Sequence, residues 1–108
     1  MIFEVWYLNW RVPEATGLLL GVPGPQPDLS WYECRGKVRV KGQDDAYVRL
    51  QNLSRRQMSA IPGRSFSVGD MLRLVDPGRD DGAFLLCLPA GWRDVRPSGA
   101  WTARQRGP

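Results

Sequence analysis

A short run of polar residues between positions 64 and 70 has the residue types that chemistry would need. Ser65 and Ser67 carry hydroxyls that could act as nucleophiles, and the carboxylate of Asp70 follows. A serine nucleophile needs an adjacent base, and because the chain has no histidine, only a lysine or a carboxylate could take the proton. The same residues suit a tight turn, because short polar side chains bond nearby backbone N–H groups. We interpret the segment as structural, with Ser65, Ser67, Gly69 and Asp70 as its turn residues, and predict that the protein is not an enzyme.

The sequence contains few residues that could bind a metal ion or carry out redox chemistry. Histidine is missing, and there are two cysteines, Cys34 and Cys87, which is too few for a disulfide scaffold. Both cysteines fall on the apolar side of predicted strands, where a thiol packs as a small core residue. The sequence therefore predicts no metal site and no cofactor. Cysteine usage also favours a reducing compartment, the cytoplasm of a bacterial host.

The cations are concentrated in the middle of the chain. Residues 35–64 include eight basic and two acidic residues, a net charge of +6. Along 31–41 the cations occupy every second position, the period of a half-buried strand, so they should form a row on one exposed face. Such a row can protect an edge strand from aggregation or bind anions. The residues predicted to form a partner- or anion-binding surface are Arg35, Lys37, Arg39 and Lys41, together with Arg55, Arg56 and Arg64, and with Trp31, which has the parity of the row.

Apolar runs separated by Gly- and Pro-rich turns predict the strands. The first run is apolar on both faces, which is typical of a strand inside a sheet. The predicted strands are 2–11, 31–41, 71–75, 83–88 and 92–95.

Two connections are harder to assign from the pattern. Residues 13–30 are rich in Gly and Pro and predict a long loop, which is either functional or disordered. Residues 46–53 fit a short helix with Ala46, Tyr47, Leu50 and Leu53 toward the core, or a strand that follows a turn. The sequence predicts an α+β fold: a small, mostly antiparallel, twisted sheet of about five strands with one short helix and a long N-terminal loop. It forms a single domain over 1–95, followed by a basic, disordered tail at 96–108.

Three segments in this order resemble a known pattern: Ala-Tyr-Val-Arg-Leu-Gln-Asn at 46–52, Arg-Ser-Phe-Ser-Val-Gly-Asp-Met-Leu at 64–72, and Gly-Trp-Arg-Asp-Val at 91–95. Together the segments are similar to the YodL-like small domains associated with the large polyvalent proteins of phages, plasmids and conjugative elements. The chain departs from the pattern at Gln51, where Thr or Phe is usual, and at Trp92, where Phe is usual. The resemblance covers about half of the chain. It implies an α+β fold, a mobile-element origin and a helix at 46–53.

Two functions compete. The first is a small non-catalytic accessory protein of a phage or mobile element that binds a host or mobile-element protein. Inhibition of a defence system, in the manner of an anti-CRISPR protein, is one version of this function. The alternative is a sequence-tolerant nucleic-acid-binding module that uses the basic strand face. No apolar run approaches the roughly 20 residues needed to span a bilayer, so no membrane partner is expected.

Overall fold

The structure is a computed structural model that describes residues 1–19, 26–53, 58–76 and 83–97. Five strands form one sheet in the order β2-β1-β3-β4-β5, and every neighbouring pair is antiparallel. The predicted α+β fold class is confirmed. The strands are β1 (Ile2–Leu8), β2 (Tyr32–Arg39), β3 (Met71–Leu74), β4 (Phe84–Cys87) and β5 (Trp92–Val95), and the helices are α1 (Thr16–Leu19) and α2 (Gln43–Arg49).

Strand β1 lies inside the sheet because both of its faces are apolar. Phe3, Val5 and Tyr7 are buried on one face, and Leu8 is buried on the other. The sequence predicted that this strand would extend to residue 11, but it ends at Leu8. After it the chain turns through Asn9, whose side chain accepts a hydrogen bond from the Arg11 amide at 3.0 Å.

The sheet separates two groups of buried side chains. On the α2 side, Phe3 and Val5 pack with Ala46, Leu50 and Phe66, a group that we call the helix-side core. On the opposite side, Leu8, Met71 and Leu86 pack against the connection between β1 and β2 through Ala15 and Leu18, which we call the loop-side core. Each face of the sheet is therefore covered along at least part of its length.

The two interpretations of residues 46–53 are resolved in favour of a helix. Helix α2 starts three residues earlier than predicted, at Gln43, and ends at Arg49. Ala46 and Leu50 are buried as expected, but Leu53 is 67% exposed, so its predicted place in the core is wrong. The reason is that the helix ends before Leu53, which removes the periodicity on which that prediction depended.

The predicted long N-terminal loop contains short helical pieces. They are a 3-10 turn at Pro13–Ala15, helix α1, and a second 3-10 turn at Leu29–Trp31. Ala15 and Leu18 are buried against the sheet, so this part of the connection is packed. Within the described ranges, no helix has the length and apolar character needed to cross a membrane. Residues 98–108, most of the predicted disordered tail, lie outside the described residues.

Candidate functional site

The polar segment at 64–70 is built around one buried carboxylate. Asp70 is 0% exposed, and its two oxygens accept hydrogen bonds from the amides of Leu8 and Ser67, each at 2.8 Å. The Arg64 guanidinium donates to the same oxygens, from Nη1 at 2.5 Å and from Nη2 at 2.6 Å. Burial raises the pKa of the Asp70 carboxyl, and the Arg64 guanidinium opposes part of that rise. The carboxylate is thus surrounded by donors and faces no open site.

The same turn connects several strands. The Tyr32 hydroxyl at the start of β2 donates to the carbonyl of Gly69 at 2.6 Å, and the amide of Gly69 donates to the carbonyl of Cys87 in β4 at 3.0 Å. Burial, together with the charge of Asp70, raises the pKa of Tyr32. The hydroxyl of Ser65 accepts a hydrogen bond from the amide of Asn52 at 2.8 Å. These contacts support the interpretation of the segment as structural.

Arg64 was predicted to be part of the contact surface, and the structure places it in the turn instead. Besides Asp70, its guanidinium donates to the carbonyls of Leu8 and Ser65, each at 3.0 Å. The side chain is only 24% exposed. Because its charge is paired with a buried carboxylate, Arg64 is a structural residue and not a free cation.

The row of four cations predicted on one face is interrupted by a β-bulge. The pairing of β1 with β2 shifts between Val5 and Trp6, so that Val5 faces Gly36, Trp6 faces Cys34, and Arg35 has no partner on β1. One inserted residue reverses the inward and outward alternation of a strand. The Arg35 guanidinium consequently lies on the α2 side, where it donates to the Pro62 carbonyl at 3.4 Å.

The remaining cations of the row are exposed. Lys37 and Arg39 pair with Glu4 and Ile2 of β1 and therefore lie on the face opposite the helix-side core. Lys41 lies beyond the end of β2 and is exposed as well. Within the described part of the chain, these three side chains make no ion pair and no hydrogen bond. Arg55 and Arg56 lie outside the described residues.

Trp31 is part-buried in the 3-10 turn before β2, so the predicted alternation does not set its direction. It nevertheless lines the same cavity as Arg35, a space of about 660 Å³ between the end of β1 and the start of β2. Trp10 lines this cavity too, although it was not predicted as a site residue. The sequence feature that could have identified Trp10 is a large aromatic residue next to Arg11, three residues before Pro13.

The two cysteines differ in their environment. Cys87 is buried in the helix-side core, as predicted, and burial raises the pKa of its thiol to about 11. Cys34 is exposed, so the prediction that it is a core residue is wrong. Cys34 lies next to the bulge on β2, and β2 is an edge strand with a neighbouring strand on one side only.

Among the described residues, no group of three His, Cys, Asp or Glu side chains could hold a metal ion. Compared with protein-family models, curated proteins and solved structures, the chain matches none of them. The resemblance to YodL-like domains therefore stays a prediction. The functional argument depends on the geometry of the chain itself.

Proposed function

We propose that this protein is a non-catalytic accessory protein of a phage or mobile element that binds an acidic surface of a host or mobile-element protein. The observation that carries this proposal is a set of exposed cations on β2 and just beyond it: the side chains of Lys37, Arg39 and Lys41 make no ion pair and no hydrogen bond within the described residues. By contrast, Arg73 of β3 forms an ion pair with Glu4 of β1 at 2.9 Å. The unpaired cations leave a local excess of positive charge at the sheet edge.

A protein partner is favoured over a nucleic acid by exposed apolar side chains. Leu53 and Met58 are each 67% exposed, and Val48 on α2 is 53% exposed. Apolar side chains gain free energy when a partner protein covers them, whereas a phosphate backbone offers little apolar surface. Inhibition of a defence system is one concrete form of this function, because a small non-catalytic protein can act by occupying a surface of its target.

Charge complementarity makes the mechanism testable. Exposed cations speed the encounter with an acidic surface and select against basic ones, and both effects weaken as salt increases. Arg39 can also form two parallel hydrogen bonds with a carboxylate, which a lysine cannot. We expect binding to depend on salt and on the sign of the charge at positions 37 and 39.

The test is a pull-down from host lysate with the wild-type chain and with the variant Lys37→Glu/Arg39→Glu. The matched control is Arg104→Glu/Arg106→Glu, which changes the net charge equally at the C-terminus. We expect a stoichiometric acidic protein to be captured by wild type and control and lost with the β2 variant. Recovery of no stoichiometric partner, or equal capture by all three, would count against the proposal.

A nucleic-acid module is the second candidate, favoured by the position of Trp31 near the basic strand. Aromatic rings and cations together bind single strands without sequence preference. Binding to a single-stranded oligonucleotide should then weaken steeply with salt, and Lys37→Glu/Arg39→Glu should reduce the magnitude of the slope by about 1.4 if both side chains contact phosphates. A slope unchanged by the variant excludes this candidate.

A further inference from the structure

The Trp10 ring is held in place from one side and open on the other. The Cζ atom of Arg64 lies 4.2 Å from the centroid of the Trp10 ring and 4.5 Å from that of Tyr7, so the guanidinium is sandwiched between two aromatic rings. Trp10 is nevertheless 53% exposed. One face of the indole therefore contacts a cation, and much of the rest faces solvent.

The groups that support this ring are held by several hydrogen bonds. Both terminal nitrogens of Arg64 bond the buried carboxylate of Asp70, and Nη2 also donates to the Leu8 carbonyl. The backbone beside Trp10 is fixed as well, because the amide of Asn9 donates to the carbonyl of Trp31 at 2.8 Å. A ring that is already oriented loses little conformational entropy when a flat ligand stacks on it.

The cavity beside Trp10 has an excess of positive charge. Arg11, Arg35 and Arg64 line it, with Glu33 as the opposing charge. Arg64 is neutralised by Asp70, and Arg35 has its Nη1 3.6 Å from a carboxylate oxygen of Glu33. The side chain of Arg11 makes no ion pair or hydrogen bond within the described ranges. A ligand that uses both features must be flat, aromatic and negatively charged.

We propose that this cavity binds a nucleoside phosphate, with the base stacked on the open face of Trp10 and the phosphate at Arg11 and Arg35. Stacking on aromatic side chains and phosphate contacts with arginine are the usual means of binding such a ligand. The volume of about 660 Å³ suits a ligand of this size. The ligand is either a free nucleotide or one unit of a single strand. This inference goes beyond the proposed function, because it requires neither the exposed cations Lys37, Arg39 and Lys41 nor a partner protein.

The experiment titrates the purified chain with adenosine monophosphate, adenosine and inorganic phosphate, and follows heat and tryptophan fluorescence. We expect saturable binding of the nucleotide with a Kd below about 1 mM, weaker binding of adenosine, and no saturation with phosphate. Trp10→Ala should abolish nucleotide binding, and Trp10→Phe should retain part of it. Arg11→Ala should weaken nucleotide binding about tenfold, as expected for one lost charge-assisted contact, and leave adenosine binding unchanged.

A single-stranded oligonucleotide distinguishes the two sources of the ligand. Affinity that increases with strand length and is lost in Trp10→Ala assigns the cavity to a strand, whereas binding of the mononucleotide alone assigns it to a free nucleotide. The inference is overturned if neither ligand binds, if Trp10→Ala binds as wild type does, or if phosphate binds as tightly as the nucleotide. Melting temperatures show whether each variant is folded. Lys37→Glu/Arg39→Glu should leave nucleotide binding unchanged, so failure here is separate from failure of the proposed function.

Discussion

The guanidinium of Arg64 donates hydrogen bonds to both oxygens of the Asp70 carboxylate, from Nη1 to Oδ2 at 2.5 Å and from Nη2 to Oδ1 at 2.6 Å. Asp70 is fully buried, and its other contacts are amides of the chain. The pair joins the end of β1 to the start of β3, because Arg64 also donates to the Leu8 carbonyl and Asp70 precedes Met71. The pair therefore stabilises the sheet, and its guanidinium also supports the Trp10 ring.

Loss of the Asp70 carboxylate is the most damaging change that we expect in this segment. Asp70→Ala leaves the Arg64 charge and the amides of Leu8 and Ser67 without their acceptor, and removing one partner of a buried ion pair costs about 3 kcal/mol or more. This exceeds the cost of about 1 kcal/mol expected for a single turn hydrogen bond. Urea unfolding measures the difference, with the exposed Asp94→Ala as control. A loss for Asp70→Ala no larger than that of the control would show that the pair contributes nothing.

The structural role of this segment was predictable because its residues act locally. Turn chemistry at Ser67 and Asp70 follows from short polar side chains that reach amides a few residues away. The partners of Asp70 at Leu8 and of Gly69 at Tyr32 are distant in sequence, and no local pattern reports them. For this reason the turn was expected to be structural while Arg64 was assigned to the surface.

For strand β2, the sequence predicted the strand itself but not the direction of every side chain. Alternation predicted a strand and its cations, and Lys37 and Arg39 do share a face. The bulge at Arg35 arises from how β2 pairs with β1, so a pattern within β2 alone could not reveal it. For the same reason Cys34 was expected in the core, since its predicted direction depended on an uninterrupted alternation.

Replacement of Gly69 separates backbone strain from close packing. Its φ of +94° is strained for other residues, and a Cβ there would lie 3.1 Å from Leu8 Cδ2 and 3.2 Å from the Leu18 carbonyl oxygen. The matched control is Gly91, with a φ of +89° and no atom within 4 Å of a Cβ. We expect Gly91→Ala to cost about 1 kcal/mol from the backbone alone, and Gly69→Ala to cost more. Equal melting temperatures for the two variants would contradict the close approach.

The two serines of the turn should differ in their contribution. The Ser65 hydroxyl accepts from the Asn52 amide at 2.8 Å, whereas the Ser67 hydroxyl receives a longer bond of 3.3 Å from Arg64 Nη1. Ser65→Ala leaves a part-buried amide without its acceptor and should cost about 1 kcal/mol. Ser67→Ala should cost less, because the guanidinium keeps its other acceptors. Chemical unfolding of both variants ranks them, and the reverse order would show that the Asn52 contact is unimportant.

The thiols provide a test of the sheet edge. Cys34 is exposed on β2, while Cys87 is buried with its pKa raised to about 11 by burial. At about pH 8, a thiol reagent should therefore modify one cysteine in the folded protein and both after unfolding. Cys34→Ser is the control, and it should show no modification until it unfolds. Rapid modification of folded Cys34→Ser would mean that Cys87 is accessible and the core assignment is incorrect.

The Asp45 carboxylate should make the stability of the protein depend on pH through its contacts at α2. Its Oδ2 accepts from the Lys41 amide at 2.9 Å and its Oδ1 from Arg49 Nε at 3.1 Å; the amide hydrogen bond, followed by Arg49, lowers the pKa of this carboxyl below 3.8. A carboxyl whose pKa is lower in the folded state contributes stability above its unfolded pKa, and that contribution is lost as the pH falls through the folded value. Asp45→Asn should therefore be less stable than wild type at neutral pH, and the gap should close in acid. Urea midpoints measured from neutral pH down to about pH 2 test this, with Asp94→Asn as control. A gap that stays constant over this range would show that the charge of Asp45 does not stabilise the helix.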